Sequence, residues 1–154
     1  MRNITKARIQ LAVVLMLSLG LAAHAAQKSV EQIKSEAAAA SGGQQARLYA
    51  ELAQRLVAVA AEQFAQNDMA KGQATVEEIL GYAAKAHDIA LDTRSKMKEV
   101  EIHLRQTQRH LESVKRTLVT EDRPPLDAAE RKLSVMRQEL MDVMFAPKKK
   151  EPKK

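Results

Sequence analysis

An all-α fold follows from three features of the sequence. Ala, Leu, Glu, Lys, Gln and Arg dominate the 154 residues, and these side chains lose least on entering a helix. Only five glycines and four prolines are present, too few for the frequent tight turns of a β-sandwich or barrel. An uncharged stripe with steps of three and four residues runs from Val76 to Leu118, which is the period of a helix and not of a strand. The chain also has no cysteine, which excludes disulfides, thiolate nucleophiles, iron–sulfur clusters, Cys-ligated zinc and covalently attached haem. Its length suits one modest domain.

The first element is an export signal. Arg2, Lys6 and Arg8 form a positive amino-terminal region, Ile9 to Leu21 is an apolar run interrupted by Gln10 and Ser18, and Ala23-His24-Ala25 supplies the small residues that a signal peptidase reads. The run is shorter than the roughly 20 residues needed to span a bilayer core. Residues 1–25 are therefore expected to be removed, with cleavage after Ala25 or Ala26, leaving a periplasmic or secreted protein.

Residues 26–43 are expected to form a short helix and a glycine linker. Val30, Ile33 and Ala37 share a face, and Ser41-Gly42-Gly43 ends the pattern. The helical domain proper spans 44–146. Its first helix, about Gln44 to Gln66, carries the stripe Leu48, Leu52, Leu56, Val59 and Ala60. Asn67-Asp68 interrupts it, and the Asp68 carboxylate is placed to cap the next helix.

That next helix carries a heptad seam. Val76, Ala83, Ala90, Met97, Leu104, Leu111 and Leu118 lie seven apart, with Ile79, Ala86, Thr93, Val100, Thr107 and Val114 between them, and none is charged. The pattern predicts one coiled-coil-like helix from about Met69 to Val119, about 75 Å long at ~1.5 Å per residue. Glu101 with Arg105 and Glu112 with Arg116 are four-residue pairs expected on its solvated side. Pro124-Pro125 stops the run. Leu126, Leu133 and Leu140, with Ala129, Met136 and Val143, then continue the seam to Phe145. Short connections favour antiparallel neighbours, so 126–145 should fold back along 100–118, and 44–66 should lie along 70–93. The expected architecture is two antiparallel hairpins built on one long helix that self-associates through its seam. A break near Thr93, where Asp92-Thr93-Arg94-Ser95 brings competing side chains, would instead give a four-helix bundle.

Charge is concentrated at the ends. The chain has 25 basic and 19 acidic residues, a net charge of +6. Without the signal the balance is 22 against 19, and residues 148–154 alone hold five lysines and one glutamate. That tail, 147–154, is expected to be disordered. Lys148, Lys149, Lys150, Lys153 and Lys154 make it a candidate contact for an anionic envelope component. Residues 94–123 are also basic, eight against five. They lack the interleaved aromatics that stack on single strands, so nucleic acid is not an expected partner.

Few residues invite a chemical role. His103 and His110 share a face but stand two turns apart, roughly 10 Å, too far for one ion within a single chain. His87-Asp88 with Asp92 has metal-binding residue types without the spacing that converges them. Met136, Met141 and Met144 could offer thioethers to a soft metal, although methionine is also ordinary core filler. No nucleophile elbow, phosphate loop or zinc motif is present, so neither enzymatic activity nor a cofactor is expected.

The stretch from Phe64-Ala-Gln-Asn-Asp-Met-Ala-Lys-Gly72 to Tyr82-Ala-Ala-Lys-Ala86 resembles the turn and second helix of a tetratricopeptide-type hairpin, with Gly72 at the position where small residues pack. More broadly, residues 45–146, from Asn67-Asp-Met-Ala-Lys-Gly72 to Glu121-Asp-Arg-Pro-Pro125, resemble an uncharacterised family of exported all-helical bacterial proteins. That resemblance implies a bacterial origin and supplies no catalytic residue. The functional expectation is an exported, non-enzymatic interaction or scaffold protein. The alternative is a periplasmic stress-binding protein of chaperone-like or metal-responsive type, although the L-T-x-x-Q repeats of small periplasmic chaperones are absent.

Overall fold

A computed structural model describes residues 28–146. The signal sequence and the lysine tail lie outside the described residues. Within them the chain forms five α-helices and no strand: α1 (Val30–Ala39), α2 (Gly42–Ala65), α3 (Met69–Thr93), α4 (Met97–Thr117) and α5 (Pro124–Phe145), with a 3-10 turn at Thr120–Asp122.

Local chemistry sets the boundaries. Ser29 Oγ accepts from the Gln32 amide while the Gln32 side chain accepts from the Ser29 amide, a reciprocal capping box that starts α1. The helix stops at Ala39 because Ala40 and Ser41 are extended, and Gly42 then takes a φ of +57° that suits glycine. The Asp68 carboxylate accepts from the Lys71 amide, as expected of an N-cap. Pro124 occupies the first turn of α5, where its missing N–H costs nothing.

The single long helix does not form. It ends at Thr93 and restarts at Met97, with Arg94 and Lys96 both left-handed, at φ values of +47° and +59°. The Thr93 hydroxyl donates to the Ile89 carbonyl, the side-chain competition that weakens a helix at such residues. Burial supplies the driving force. A straight helix would cover Leu104 and Leu111 with α5 alone, whereas the folded chain also brings α2 against α4 and both leucines are fully buried; complete burial of such a leucine is worth roughly 1.5–3 kcal/mol.

The result is a four-helix bundle with α1 appended. Antiparallel hairpins α2–α3 and α4–α5 stack with α4 beside α2 and α5 beside α3. Two contacts set the register: His103 meets Gln54 at 2.7 Å, and His87 lies 2.8 Å from Glu139. Helix α1 buries Ile33 and Ala37, packs on α2, and reaches α3 through Lys34 and Glu78, 3.0 Å apart.

The heptad seam forms the interior. Val76, Ile79, Ala83, Ala86, Ala90, Val100, Leu104, Thr107, Leu111 and Leu118 are buried, as are Leu126, Leu133 and Leu140 of α5. The surface on which self-association was expected is therefore covered by this chain's own helices. Glu101 also departs from expectation. It is buried, not solvated, because α5 brings Arg137 against it, with Nε and Nη2 at 3.0 and 2.9 Å from Oε1. Glu112 and Arg116 do pair on the exposed side, at 2.6 Å.

Among the described residues no helix is long and apolar enough to cross a membrane.

Candidate functional site: a furrow between two parallel helices

Helices α2 and α4 run side by side in the same direction, and their facing edges are lined by small or polar side chains. On α2 these are Glu51, Gln54, Ala58, Ala61 and Ala65; on α4 they are His103, Gln106, His110, Ser113 and Thr117. Both sets step by three and four residues, so each forms one stripe along its helix. Along this face the short side chains of Ala58, Ala61, Ala65 and Ser113 do not fill the space between α2 and α4, and a gap is left. The gap has two open lobes of about 660 and 630 Å³, joined at Ala61, Ser113 and Val114. From Glu51 to Ala65 it extends for about 20 Å.

The floor and rim differ. Val57, Phe64, Val114 and Leu118 give an apolar floor, while amides, imidazoles and an ion-paired Glu51 line one end. Glu51 is held by Arg47 at 3.1 Å and Arg55 at 3.9 Å. Asn67 and Asp122 line the other end.

His103 is half-buried. Burial pushes its pKa below the usual histidine value; nearby Glu51 works in the opposite direction, and Arg47 and Arg55 reinforce the fall. The ring is therefore neutral near pH 7. With Nδ1 donating to Gln54 Oε1, its other nitrogen is left as an acceptor. His110 is exposed and lines the same furrow. Ser113 lies three residues beyond it, but its hydroxyl donates to the Arg109 carbonyl at 3.1 Å, so no hydroxyl–imidazole pair is set up.

The other candidates are placed elsewhere. His87 is buried between α3 and α5, its Nδ1 hydrogen-bonded to Asp88 at 2.8 Å. Glu139 Oε2 comes equally close to Nε2, yet off the N–H direction, so the contact is short without being a formed hydrogen bond. Asp92 is exposed and does not join them. Met136 and Met144 pack against the core, and Met141 is half-exposed on the same helix. Among the described residues no three His, Asp or Glu side chains converge as a metal site would need.

Sequence reasoning found His103 and His110 and missed what they face. Gln54 and the alanines of α2 carry no chemical motif. The one signal was that Ala58, Ala61 and Ala65 share a phase outside the leucine stripe. Gly72, singled out as a packing position, is one: a Cβ there would fall 2.5 Å from the Phe64 ring, which borders the furrow's lower lobe.

Comparison with known proteins gives no match to a family model, a curated protein or a solved structure.

Proposed function

We propose that the protein is an exported, non-enzymatic interaction protein whose binding face is the α2/α4 furrow. The observation that carries this reading is the furrow's composition: an apolar floor beneath a polar rim in which Gln54 and His103 bond to each other, while the side chains of Gln106 and His110 make no hydrogen bond among the described residues. Peptide-binding grooves combine these features, burying apolar side chains while polar rims fix orientation. At about 20 Å the furrow is long enough for four turns of a partner helix. Export rests on the signal sequence read in residues 1–25, and sequencing of the mature amino terminus tests it, with a protein beginning at Gln27 or Ala26 expected.

The binding face is tested by a photo-crosslinking residue placed at Ala58, inside the furrow, or at exposed Ala70, outside it. In intact cells an adduct is expected at Ala58, absent at Ala70, and lost when Ala61→Trp fills the junction of the two lobes. Equal labelling at both positions, or labelling insensitive to Ala61→Trp, would remove the furrow from the argument.

The apolar floor also favours the chaperone-like reading, in which the occupant is any unfolded segment. Suppression of aggregation of several unrelated unfolded proteins, abolished by Ala61→Trp, distinguishes it from a dedicated partner.

A further inference from the structure

Five of the seven methionines stand beyond residues 1–25, at Met69, Met97, Met136, Met141 and Met144, and the register of the α4–α5 hairpin gathers three of them. Across this antiparallel pair Arg137 reaches both Glu101 and Gln108, and Lys115 reaches both Asp127 and Glu130. Counting on along the helices from these contacts puts Met97, the first residue of α4, level with Met141 and Met144 in the last turns of α5. The phase agrees. Asp127, Glu130 and Arg137 mark the edge of α5 that faces α4, and steps of four and three carry that edge on to Met141 and Met144. Met97 stands seven residues before Leu104, in the phase of the buried series Leu104, Leu111 and Leu118. Met136, grouped with Met141 and Met144 by sequence, does not join them: it lies about 12 Å from Met144 along the helix.

Residue type changes along this seam. In its interior it is leucine, with Leu104, Leu111, Leu133 and Leu140 fully buried. At the open end methionine takes over, and Met97, Met141 and Met144 are each only partly covered. Leucine would fill an apolar seam as well and exchanges with methionine at little cost. What methionine adds is a flexible side chain ending in a polarisable sulfur, here within reach of solvent. The charges of this end balance, Arg94, Lys96 and Lys98 against Asp92, Glu99 and Asp142. Lys96 is paired with Glu99 at 2.9 Å, and Asp142 accepts from Gln138 at 2.8 Å. Among the described residues no set of carboxylates and imidazoles converges for a hard divalent ion.

We infer that Met97, Met141 and Met144 form a three-thioether site for a soft monovalent metal ion, copper(I) or silver(I). Neutral thioethers select such ions, whereas calcium and magnesium take oxygen ligands and zinc takes imidazole, thiolate or carboxylate. Two sulfurs come from neighbouring turns of α5 and the third from the facing start of α4, and the flexible side chains let them close on one ion. The site lies between α4 and α5, outside the α2/α4 furrow, so this inference is independent of the binding reading above.

The test is titration of the protein, purified from an exporting host, with silver(I) and, under anaerobic reducing conditions, with copper(I), followed by calorimetry and by the NMR signals of isotope-labelled methionine methyl groups. A single ion per chain is expected, moving the signals of Met97, Met141 and Met144 together and leaving those of Met69 and Met136 in place. Excess zinc(II) should not displace it. Met97→Leu, Met141→Leu and Met144→Leu should each weaken silver binding about tenfold or more by removing a soft ligand, while the urea midpoint of the metal-free protein barely changes because leucine fills the same space. Met136→Leu and Ala61→Trp should leave the affinity unchanged. Absence of binding, equal movement of all five methyl signals, or displacement by zinc overturns the inference. So does full binding when Met97, Met141 and Met144 are all replaced by leucine, which would assign the ion to the histidines instead.

Discussion

The two hairpins of the bundle share a topology and nearly a length, but they are held together by different means. On α2 and α3 about half of the buried positions are small, with Ala46, Ala50, Ala53, Ala60, Ala83, Ala86 and Ala90 interleaved with Leu48, Leu52, Leu56, Val57, Phe64, Val76, Ile79 and Leu80. Between α4 and α5 they are mostly Leu104, Leu111, Leu118, Leu126, Leu133 and Leu140, flanked by ion pairs of Arg137 with Glu101 and of Lys115 with Asp127 and Glu130. Small residues let helix axes approach, and large ones hold them apart. The difference teaches that one bundle can be specified by close approach in one half and by leucine and charge in the other. The furrow opens where the two regimes meet, between an alanine stripe of α2 and a polar stripe of α4.

Size-changing substitutions should break this comparison most sharply, and in opposite senses. Leu104→Ala, at a fully buried position, is expected to cost about 3–4 kcal/mol through lost burial and a residual cavity, measured as a lower urea midpoint. In the first hairpin the sensitive change is the reverse. Ala86→Leu, also at zero exposure, should cost about 2–3 kcal/mol by overpacking. If Ala86→Leu were neutral or stabilising, the close-approach account of α2–α3 would be wrong.

Next in size is the ion pair across α4 and α5. Arg137→Ala leaves Glu101 in a site where its side chain is 10% exposed and removes the donor to Gln108 as well. A loss of about 2–3 kcal/mol is expected, because Glu101 would keep only the longer contact to Arg105, at 3.5 Å, and a buried charge that loses its main partner is strongly disfavoured. The double variant Glu101→Leu with Arg137→Met should recover most of it, since a well-packed apolar pair can replace a buried ion pair. A double variant no better than Arg137→Ala would mean that shape, not charge, dominates that contact. Gly72→Ala sharpens the same comparison on the other side. Its Cβ must displace the Phe64 ring, for an expected cost of about 1–2 kcal/mol and a reshaped lower lobe of the furrow.

How much of this was legible in the sequence depends on the length scale of the signal. Helical periodicity is local, so the helices of α2 and α5 and the Asp68 cap could be read from neighbours a few residues apart, whereas the preceding helix ends at Thr117, before the double proline, which instead opens α5. The break at Thr93 was visible as a weak point, but its outcome depends on whether Leu104 and Leu111 find α2 and α5 to bury against, a long-range balance that no window of the heptad pattern contains. Glu101 was placed on the wrong face for the same reason. Its i+4 partner Arg105 is near in sequence, whereas Arg137, which decides its burial, is a helix away. The furrow was the least legible feature. It arises from what is missing between two stripes on different helices, and alanine reads as helix former in both roles.

The smallest effects are those of pH, and they separate the hairpins' charges from the furrow. Hydrogen bonding to Lys115 holds Asp127 below its ordinary value of 3.8, and the same contact, with Glu130, raises Lys115 above 10.5. A depressed carboxylate contributes stability that is complete above its unfolded value and lost as pH falls through the folded one. A raised lysine contributes stability that is complete below its unfolded value and lost as pH rises through the folded one. His103 behaves differently. Burial lowers it from 6.5, so the unfolded chain binds the proton first, and stability declines as pH drops from about 6.5 toward the folded value. Chemical denaturation should therefore show a plateau between pH 7 and 10, a shallow fall below 6.5, and a further fall below 4. His103→Gln, which keeps an amide against Gln54, should flatten the middle step and spare the acid one; Asp127→Asn should do the opposite. A middle step that survives His103→Gln would detach it from burial of the His103 ring.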